Sequence, residues 1–246
     1  IAYPLRQTLL EMHAPTRISL FKDTFLNYLK YLGLLAASEF FNSLLNDKNM
    51  VALFHQNLVE TAFGKWNHYI RETLKFLKDN KHEFFCNGLT EYYEQVESGN
   101  KVKKYKGEIE IIDAYGDFQL RKLENITAIG MLINFRNRYL GHGLTLDVQA
   151  SQQLWDEYFP IFRSLLEQMS FANQYKMFKQ ENGETYLLHT ADIKTVESAI
   201  KNEENIWIQN SDGAPFSILP FFITPAEVAV SSSAKSKLFT YESYTG

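Results

Sequence analysis

Cysteine is almost missing from this chain of 246 residues, in which Cys86 is the sole example. A lone cysteine excludes an internal disulfide and any zinc or iron–sulfur site built from cysteines. This usage is typical of the reducing cytoplasm, which is where we expect the chain to act. We interpret Cys86 as a buried thiol rather than a catalytic nucleophile.

Long apolar runs and the signatures of common cofactor sites are also missing. No segment approaches the ~18 consecutive apolar residues of a membrane-spanning helix, so we expect a soluble globular protein with no membrane partner. The sequence has no Gly-x-x-x-x-Gly-Lys loop, no Gly-x-Gly-x-x-Gly turn and no Gly-x-Ser-x-Gly elbow. Nucleotide hydrolysis, dinucleotide chemistry and α/β-hydrolase chemistry therefore lack their usual marks. No His-Glu-x-x-His pattern occurs either, and we expect neither a metal nor a cofactor.

The amino terminus lacks the features of a secretory signal. Residues 1–10 contain neither a basic stretch nor the apolar core that such a signal needs. Because the chain opens with Ile1 rather than Met, we expect a fragment boundary and further domains of a larger protein.

The charge balance is slightly acidic, with 29 acidic residues against 25 basic ones and a formal net charge of −4. That balance argues mildly against non-specific attachment to nucleic acid, which normally requires a basic face. One basic cluster stands out: Lys101, Lys103, Lys104 and Lys106. These lysines either contact RNA phosphates or form a solvated loop or short ribbon. In the second case they face Glu108 and Glu110 of the next segment, which we predict to be a half-exposed strand.

Proline is scarce, and its placement permits long helices only in the middle of the chain. No proline occurs between Pro15 and Pro160. Apolar residues at steps of three or four predict five amphipathic helices, which cover residues 18–40, 59–77, 85–96, 123–140 and 154–172. Pro160 would kink or restart the last of them. We therefore predict a mainly α fold, in which residues 1–172 form a bundle of about five helices.

The sequence pattern changes after residue 172. Asn182-Gly183 separates residues 175–179 from 185–189, and Asp212-Gly213 separates 206–209 from 216–223, which predicts two β-hairpins. Residues 191–201 leave room for one short helix. We therefore predict a small β-rich appendage over residues 173–246. Its edge strands cap the bundle in the interpretation we favour, and otherwise pair with another copy or with a following domain.

One eight-residue segment combines a cation, an amide and an imidazole at the predicted end of the fourth helix: Arg136-Asn137-Arg138-Tyr139-Leu140-Gly141-His142-Gly143. The apolar rhythm of that helix reaches Arg136 and Asn137, so both are predicted to lie on a buried stripe. Gly141 and Gly143 can adopt positive φ, as residues after helix ends commonly do. His142 would then lie at the terminus or in the next loop, within reach of the Arg-Asn face.

An arginine, a polar residue, a short spacer and a histidine in this order resemble the motif of the HEPN ribonuclease superfamily. Arg136, Asn137 and His142 fill its three positions. Members of that family are all-helical and usually dimeric, and the motif Arg and His of two subunits meet at the interface and cleave RNA without a metal. The resemblance implies that these three residues are catalytic, that the chain is a homodimer and that it cleaves RNA in bacterial stress or defence. It covers the motif and the helices around it, but not the C-terminal β-rich region.

Alternatives stay open at the level of the sequence. Arg138 lies four residues before His142 and becomes its better partner if the helix continues through Gly141. In a purely structural interpretation a carboxylate holds Arg136, Asn137 caps the helix and His142 is an ordinary loop residue. The competing function is a non-catalytic helical sensor, interaction or dimerisation module of a larger protein.

Overall fold

The structure, a computed structural model, describes most of the chain before residue 182 and short segments after it: residues 2–58, 62–112, 118–140, 146–181, 184–187, 194–195, 206–209, 215–218, 222–223 and 239–240. Within these residues the chain is mainly helical, with short strands in small sheets. The predicted fold class, mainly α, is therefore confirmed. None of the described helices has the length and apolar character that crossing a membrane requires.

Seven α-helices occur in the described ranges: α1 (Ala2–Leu10), α2 (Ala14–Asn42), α3 (Lys48–Leu58), α4 (Phe63–Asp79), α5 (Asn87–Tyr93), α6 (Ala128–Phe135) and α7 (Val148–Gln168). Helices α2, α4, α5 and α7 correspond to predicted helices, whereas α1 and α3 were not predicted. Pro160 lies inside α7, which continues past it. A π-helical turn follows α5 and another follows α6, and a short 3-10 helix follows α7.

The described strands form three antiparallel sheets. Their ranges are β1 (Tyr105–Ile112), β2 (Phe118–Ile126), β3 (Lys176–Glu181), β4 (Glu184–Leu187), β5 (Lys194–Thr195), β6 (Ile206–Gln209), β7 (Pro215–Ser217), β8 (Phe222–Ile223) and β9 (Phe239–Thr240). β1 pairs with β2, β8 pairs with β9, and the five-stranded sheet has the order β5-β4-β3-β6-β7. Both predicted hairpins are confirmed, as β3–β4 and β6–β7.

Two details of the C-terminal prediction need correction. The predicted strand 216–223 is divided, because β7 ends at Ser217 and β8 pairs with β9 instead. In the range 191–201, which left room for one short helix, residues 194–195 form β5, and the other residues of that range lie outside the described ones.

The predicted helix 123–140 is wrong at its beginning, because its first residues belong to strand β2. A step of three residues from Leu123 to Ile126 fits a helix, but the segment pairs with β1, with Leu123 opposite Gly107 and Ile126 opposite Tyr105 across an irregular register. Helix α6 begins only after Thr127. The Thr127 hydroxyl accepts a hydrogen bond from the Gly130 amide at 3.0 Å, which is the usual role of an N-cap.

Contacts divide the chain into two compact units, and each unit is made of two separate stretches. The first comprises Ile1–Leu29 and Leu89–Met169, and the second comprises Lys30–Gly88 and Ser170–Gly246. Helix α2 begins in the first unit and ends in the second. The predicted division after residue 172 follows the change from helices to strands along the chain, and as a domain boundary it stays a prediction.

The core of the first unit is aromatic and holds the end of α6. Phe21 on α2 contacts Phe135 on α6 and Phe162 on α7, with ring centroids 5.5 and 5.6 Å away. Tyr158 on α7 stacks on Phe135 at 4.7 Å. All four rings are buried. Aromatic pairs at these separations bury large apolar areas and favour defined geometries, so they fix α6 between its neighbours.

The second unit contains a buried carboxylate. Glu39 on α2 is fully buried and accepts hydrogen bonds from the main-chain amides of Phe85 and Cys86, at 3.3 and 2.7 Å. One of its oxygens also lies 3.1 Å from His82 Nε2. A buried carboxylate is tolerated when its oxygens are satisfied in this way. Glu39 therefore ties α2 to the segment that connects α4 with α5.

Candidate functional site

The two motif arginines lie on a π-helical turn that follows α6. Five apolar residues of α6 are buried: Ala128, Ile129, Met131, Leu132 and Phe135. The helix then widens over Arg136–Leu140. A π-helical turn closes hydrogen bonds from i to i+5, so it holds more residues than an α-helical turn does. The side chains of this turn are therefore rotated away from the positions that an α-helical rhythm predicts.

Arg136 and Asn137 contact each other at the surface of this turn. Nη1 of Arg136 donates a hydrogen bond to Oδ1 of Asn137 at 3.1 Å. Arg136 is half-buried, Asn137 is exposed, and the turn contains no buried residue. The prediction of a buried stripe through both residues is therefore wrong, because the wider turn ends the α-helical rhythm after Phe135. The contact itself joins two of the three motif residues.

Arg138 is held by a carboxylate from the neighbouring hairpin. Its Nη1 lies 3.4 Å from Oε2 of Glu108 on β1. The Arg138 guanidinium also lies over the ring of Tyr139, with Cζ 5.1 Å from the ring centroid, which is within the range of a cation–π contact. A carboxylate contact of the kind that the structural interpretation gave to Arg136 is thus found at Arg138.

The hairpin β1–β2 is anchored on α6 beside the motif turn. Asn134 Nδ2 donates to the main-chain oxygen of Glu108 at 2.7 Å. Gly107 approaches α6 so closely that a Cβ at this position would lie 2.9 Å from Met131 Sδ. A side chain at this position would have to displace the end of the Met131 side chain, so glycine lets the strand approach the helix without that displacement. These two contacts place Glu108 next to the turn, and neither of them involves the Glu108 side chain.

Tyr158 completes the surroundings of the turn from α7. Its ring stacks on Phe135 and lies 6.3 Å from the ring of Tyr139. Burial raises the pKa of Tyr158 well above that of an exposed tyrosine, and Glu157 adds to this shift. The phenol is therefore neutral at physiological pH and serves as a packing group.

The predicted RNA-binding lysines are all exposed: Lys101, Lys103, Lys104 and Lys106. The first three precede β1, and the fourth lies near its beginning. Across the ladder, Glu108 and Glu110 lie opposite Lys122 and Leu120 of β2. The predicted strand at Glu108 and Glu110 is present as β1, and the facing of the lysines toward these two glutamates stays a prediction.

Sequence reasoning missed the groups that surround the motif. Glu108 was considered as part of a strand and as a partner of the lysine cluster, and it is 30 residues from Arg138, so no local pattern could connect them. Asn134 precedes Arg138 by four residues, and on an α-helix this spacing would be a weak signal that the two are neighbours. Tyr158 belonged to the apolar stripe of the predicted fifth helix, and its contact with the turn depends on packing alone.

His142, the third motif residue, lies outside the described residues together with Gly141 and Gly143. Its distances to Arg136 and to Arg138 stay predictions. In the part of the chain that the structure describes, no group of three or more His, Cys, Asp or Glu side chains is arranged to hold a metal ion.

The resemblance to the HEPN motif depends on the motif residues alone. Arg136 and Asn137 are in contact at the accessible end of a buried helix, and Arg138 is tied to β1. Comparison of the chain with protein-family models, with curated proteins and with solved structures finds no match.

Proposed function

We propose that the chain is a metal-independent endoribonuclease of the HEPN type, with Arg136, Asn137 and His142 as its catalytic residues. The observation that carries the proposal is the contact between Arg136 and Asn137 on the π-helical turn. Turns of this kind are frequent at functional sites. Here the turn offers a guanidinium and an amide together at an accessible helix end.

We assign the phosphate-binding role at the scissile bond to Arg136, because it fills the arginine position of the motif and contacts Asn137. The Arg138 guanidinium lies against the Glu108 carboxylate, which offsets its positive charge. Arg136 is bonded to Asn137, the polar residue of the motif, so the two side chains can act on one ligand as a pair. A guanidinium presents a planar fork of donors that matches phosphate oxygens.

RNA supplies its own nucleophile, the ribose 2′-hydroxyl, so the protein has only to move protons and stabilise charge. In the proposed reaction the 2′-oxygen loses its proton to a base and attacks the adjacent phosphorus. The bond from phosphorus to the 5′-oxygen breaks, and that oxygen takes up a proton from an acid. The products are a 2′,3′-cyclic phosphate and a 5′-hydroxyl. Arg136 stabilises charge on the phosphate, and Asn137 orients the imidazole or holds a phosphate oxygen.

His142 is the proton-transfer residue of the proposal, because an imidazole can exchange protons near neutral pH. One motif supplies one imidazole, whereas the reaction uses both a base and an acid. A homodimer with two-fold symmetry would bring the second imidazole from the other subunit. The homodimer is therefore part of the proposal.

The exposed lysine cluster is the proposed contact for the rest of the RNA backbone. Lys106 lies on β1 next to Gly107, where the strand meets α6, and the other three lysines lead into the strand. Contacts of this kind hold a nucleic acid strand without reading its sequence. We expect the affinity for RNA to weaken as salt rises.

Cleavage of RNA in the presence of EDTA tests the catalytic proposal. We expect the wild-type protein to cut total RNA and transfer RNA, and Arg136→Ala and His142→Ala each to lower the rate by roughly 100-fold or more, because charge stabilisation or proton transfer is lost. The measurement is gel analysis of the fragments, with identification of cyclic phosphate ends.

Arg163→Ala is the matched control for this experiment. Arg163 is exposed on α7 of the same unit, and it forms an ion pair with Glu167, which lies one turn further along the same helix. Its removal should leave the rate unchanged. Each variant is compared with the wild type for folding and for oligomeric state. Intact RNA with the wild-type protein, or equal cleavage by all variants, would refute the ribonuclease proposal.

A non-catalytic interaction or dimerisation module, as one part of a larger protein, is the second candidate. The formal net charge of −4 favours it, because most proteins that bind RNA present a surplus of positive charge. In that case His142→Ala would change the assembly of the protein, and RNA would stay intact with every variant.

A further inference from the structure

The ion pair between Arg138 and Glu108 is long and accessible. Its 3.4 Å separation exceeds the ~2.7–2.9 Å of strong charge-assisted hydrogen bonds. The two side chains are 25% and 37% exposed, so water and ions reach both. Ion pairs with this degree of exposure add little net stability and are screened by salt. Another anion can therefore replace the carboxylate.

The Arg138 side chain has a second support that does not use the carboxylate. The ring of Tyr139 lies under its guanidinium, 5.1 Å from Cζ to the ring centroid. Cation–π contacts of this length attract the guanidinium from one side and leave its edge donors open. Arg138 therefore stays at the turn when its contact with Glu108 is broken.

The position of β1 does not depend on the ion pair either. The main-chain oxygen of Glu108 accepts a hydrogen bond from Asn134, and Gly107 packs against Met131. Both contacts leave the Glu108 carboxylate out. Another anion can therefore replace the Glu108 carboxylate at Arg138 while the β1–β2 hairpin and α6 keep their arrangement.

We infer that Arg138 is a second phosphate-binding residue of the motif turn, and that the Glu108 carboxylate occupies it until a phosphodiester of RNA takes its place. The inference rests on the proposed function. Residues two apart on a helix do not face each other, so Arg138 binds a phosphodiester other than the scissile one at Arg136. Glu108 thereby lowers the affinity for RNA, since each phosphate gained at Arg138 displaces a carboxylate.

A comparison of two charge-removing variants tests this inference. Glu108→Gln removes the carboxylate charge, and Glu124→Gln removes the same charge from an exposed position on β2. The probe is a 2′-O-methyl RNA oligonucleotide, which carries the phosphates but lacks the 2′-hydroxyl nucleophile. We expect Glu108→Gln to tighten binding roughly threefold or more and Glu124→Gln less than about twofold, because only Glu108 competes with the probe.

The same pair of variants in an Arg138→Ala background shows whether Glu108 acts through Arg138. There the two substitutions should have equal effects, because the shared partner is gone. Arg138→Ala alone should lower the slope of log affinity against log salt by roughly 0.7, which corresponds to one phosphate contact on a single strand. Thermal unfolding of every variant serves as the check on folding.

Three results would overturn the inference: a wild-type protein that does not bind the probe, equal effects of Glu108→Gln and Glu124→Gln, or an advantage of Glu108→Gln that persists without Arg138. Cleavage of unmodified RNA is measured beside binding to separate the two proposals. Coupling between Glu108 and Arg138 without cleavage would support the anion site and refute the nuclease. Cleavage without this coupling would support the nuclease and refute the anion site at Arg138.

Discussion

The close contact between α2 and α4 depends on Gly33, which has a hydrogen atom in place of a side chain. Gly33 lies so close to Trp66 that an added Cβ would be 2.6 Å from Cε3 of the indole. The indole is a rigid ring and is buried, so its displacement would disturb the surrounding packing. We expect Gly33→Ala to lower the free energy of unfolding by roughly 1–3 kcal/mol, although alanine favours helices. Urea denaturation followed by circular dichroism measures this change.

The same substitution at Gly64 provides the control, because an added Cβ there meets nothing within 4 Å. Gly64 is exposed in the first turn of α4, so the gain in helix propensity should act alone. We expect Gly64→Ala to raise the free energy of unfolding by up to about 1 kcal/mol. Two changes of the same sign would contradict the packing argument for Gly33.

At the scale of elements, Glu39 joins helix α2 to the segment between α4 and α5. Glu39→Ala would leave the amides of Phe85 and Cys86 and the ring of His82 without the buried acceptor that they share. Unsatisfied buried donors and the cavity left behind both oppose folding. We expect a loss of roughly 3 kcal/mol in the free energy of unfolding, which urea denaturation would measure.

Glu83→Ala is the matched control for Glu39→Ala, since Glu83 lies in the same segment and is exposed. It should change the free energy of unfolding by less than about 0.5 kcal/mol. A similarly small loss for Glu39→Ala would show that the buried carboxylate does not hold this segment in place.

The sequence predicted those helices whose apolar faces repeat over several turns. Helices α2 and α7 are long, and their steps of three and four residues leave little ambiguity. Strand β2 was assigned to a helix, because the spacing from Leu123 to Ile126 fits both structures and only pairing with β1 decides between them. Local patterns therefore fail where a distant segment supplies the backbone partners.

The same limit applies to the candidate site. The helix predicted up to residue 140 is described there as α6 and the π-helical turn, and its predicted end at Gly141 and Gly143 lies outside the described residues. The prediction that Arg136 and Asn137 lie on a buried stripe was wrong, because no residue type in the segment indicates a π-helical turn. The pairing of Arg138 with Glu108 depends on how β1 packs on α6, which local spacing does not encode.

At the scale of the whole molecule, the buried tyrosine phenols and the Cys86 thiol should make the protein less stable at alkaline pH. Burial raises the pKa of six described tyrosines and of Cys86: Tyr28, Tyr31, Tyr69, Tyr92, Tyr158 and Tyr175 are the tyrosines. The pKa of Tyr175 rises to about 12. Above about pH 9 to 10 these groups ionise in the unfolded chain before they ionise in the folded one.

Because the folded state then binds more protons, the contribution of these groups to the free energy of unfolding should be constant up to about pH 8 and fall as pH rises above that value. Urea denaturation at a series of pH values measures this fall. Tyrosinate absorbance should rise in two steps, and the second should coincide with loss of the circular dichroism signal. Full ionisation of tyrosine in a protein that keeps its helical signal would contradict this expectation.

Each compact unit is assembled from two stretches of chain, and this constrains how the protein can vary over evolutionary time. The chain passes from one unit to the other at Leu29, Gly88 and Met169, so no single cut yields either unit whole. A gene segment that encodes one unit without interruption does not exist. A single crossover therefore cannot exchange one unit for a foreign one and leave the other intact.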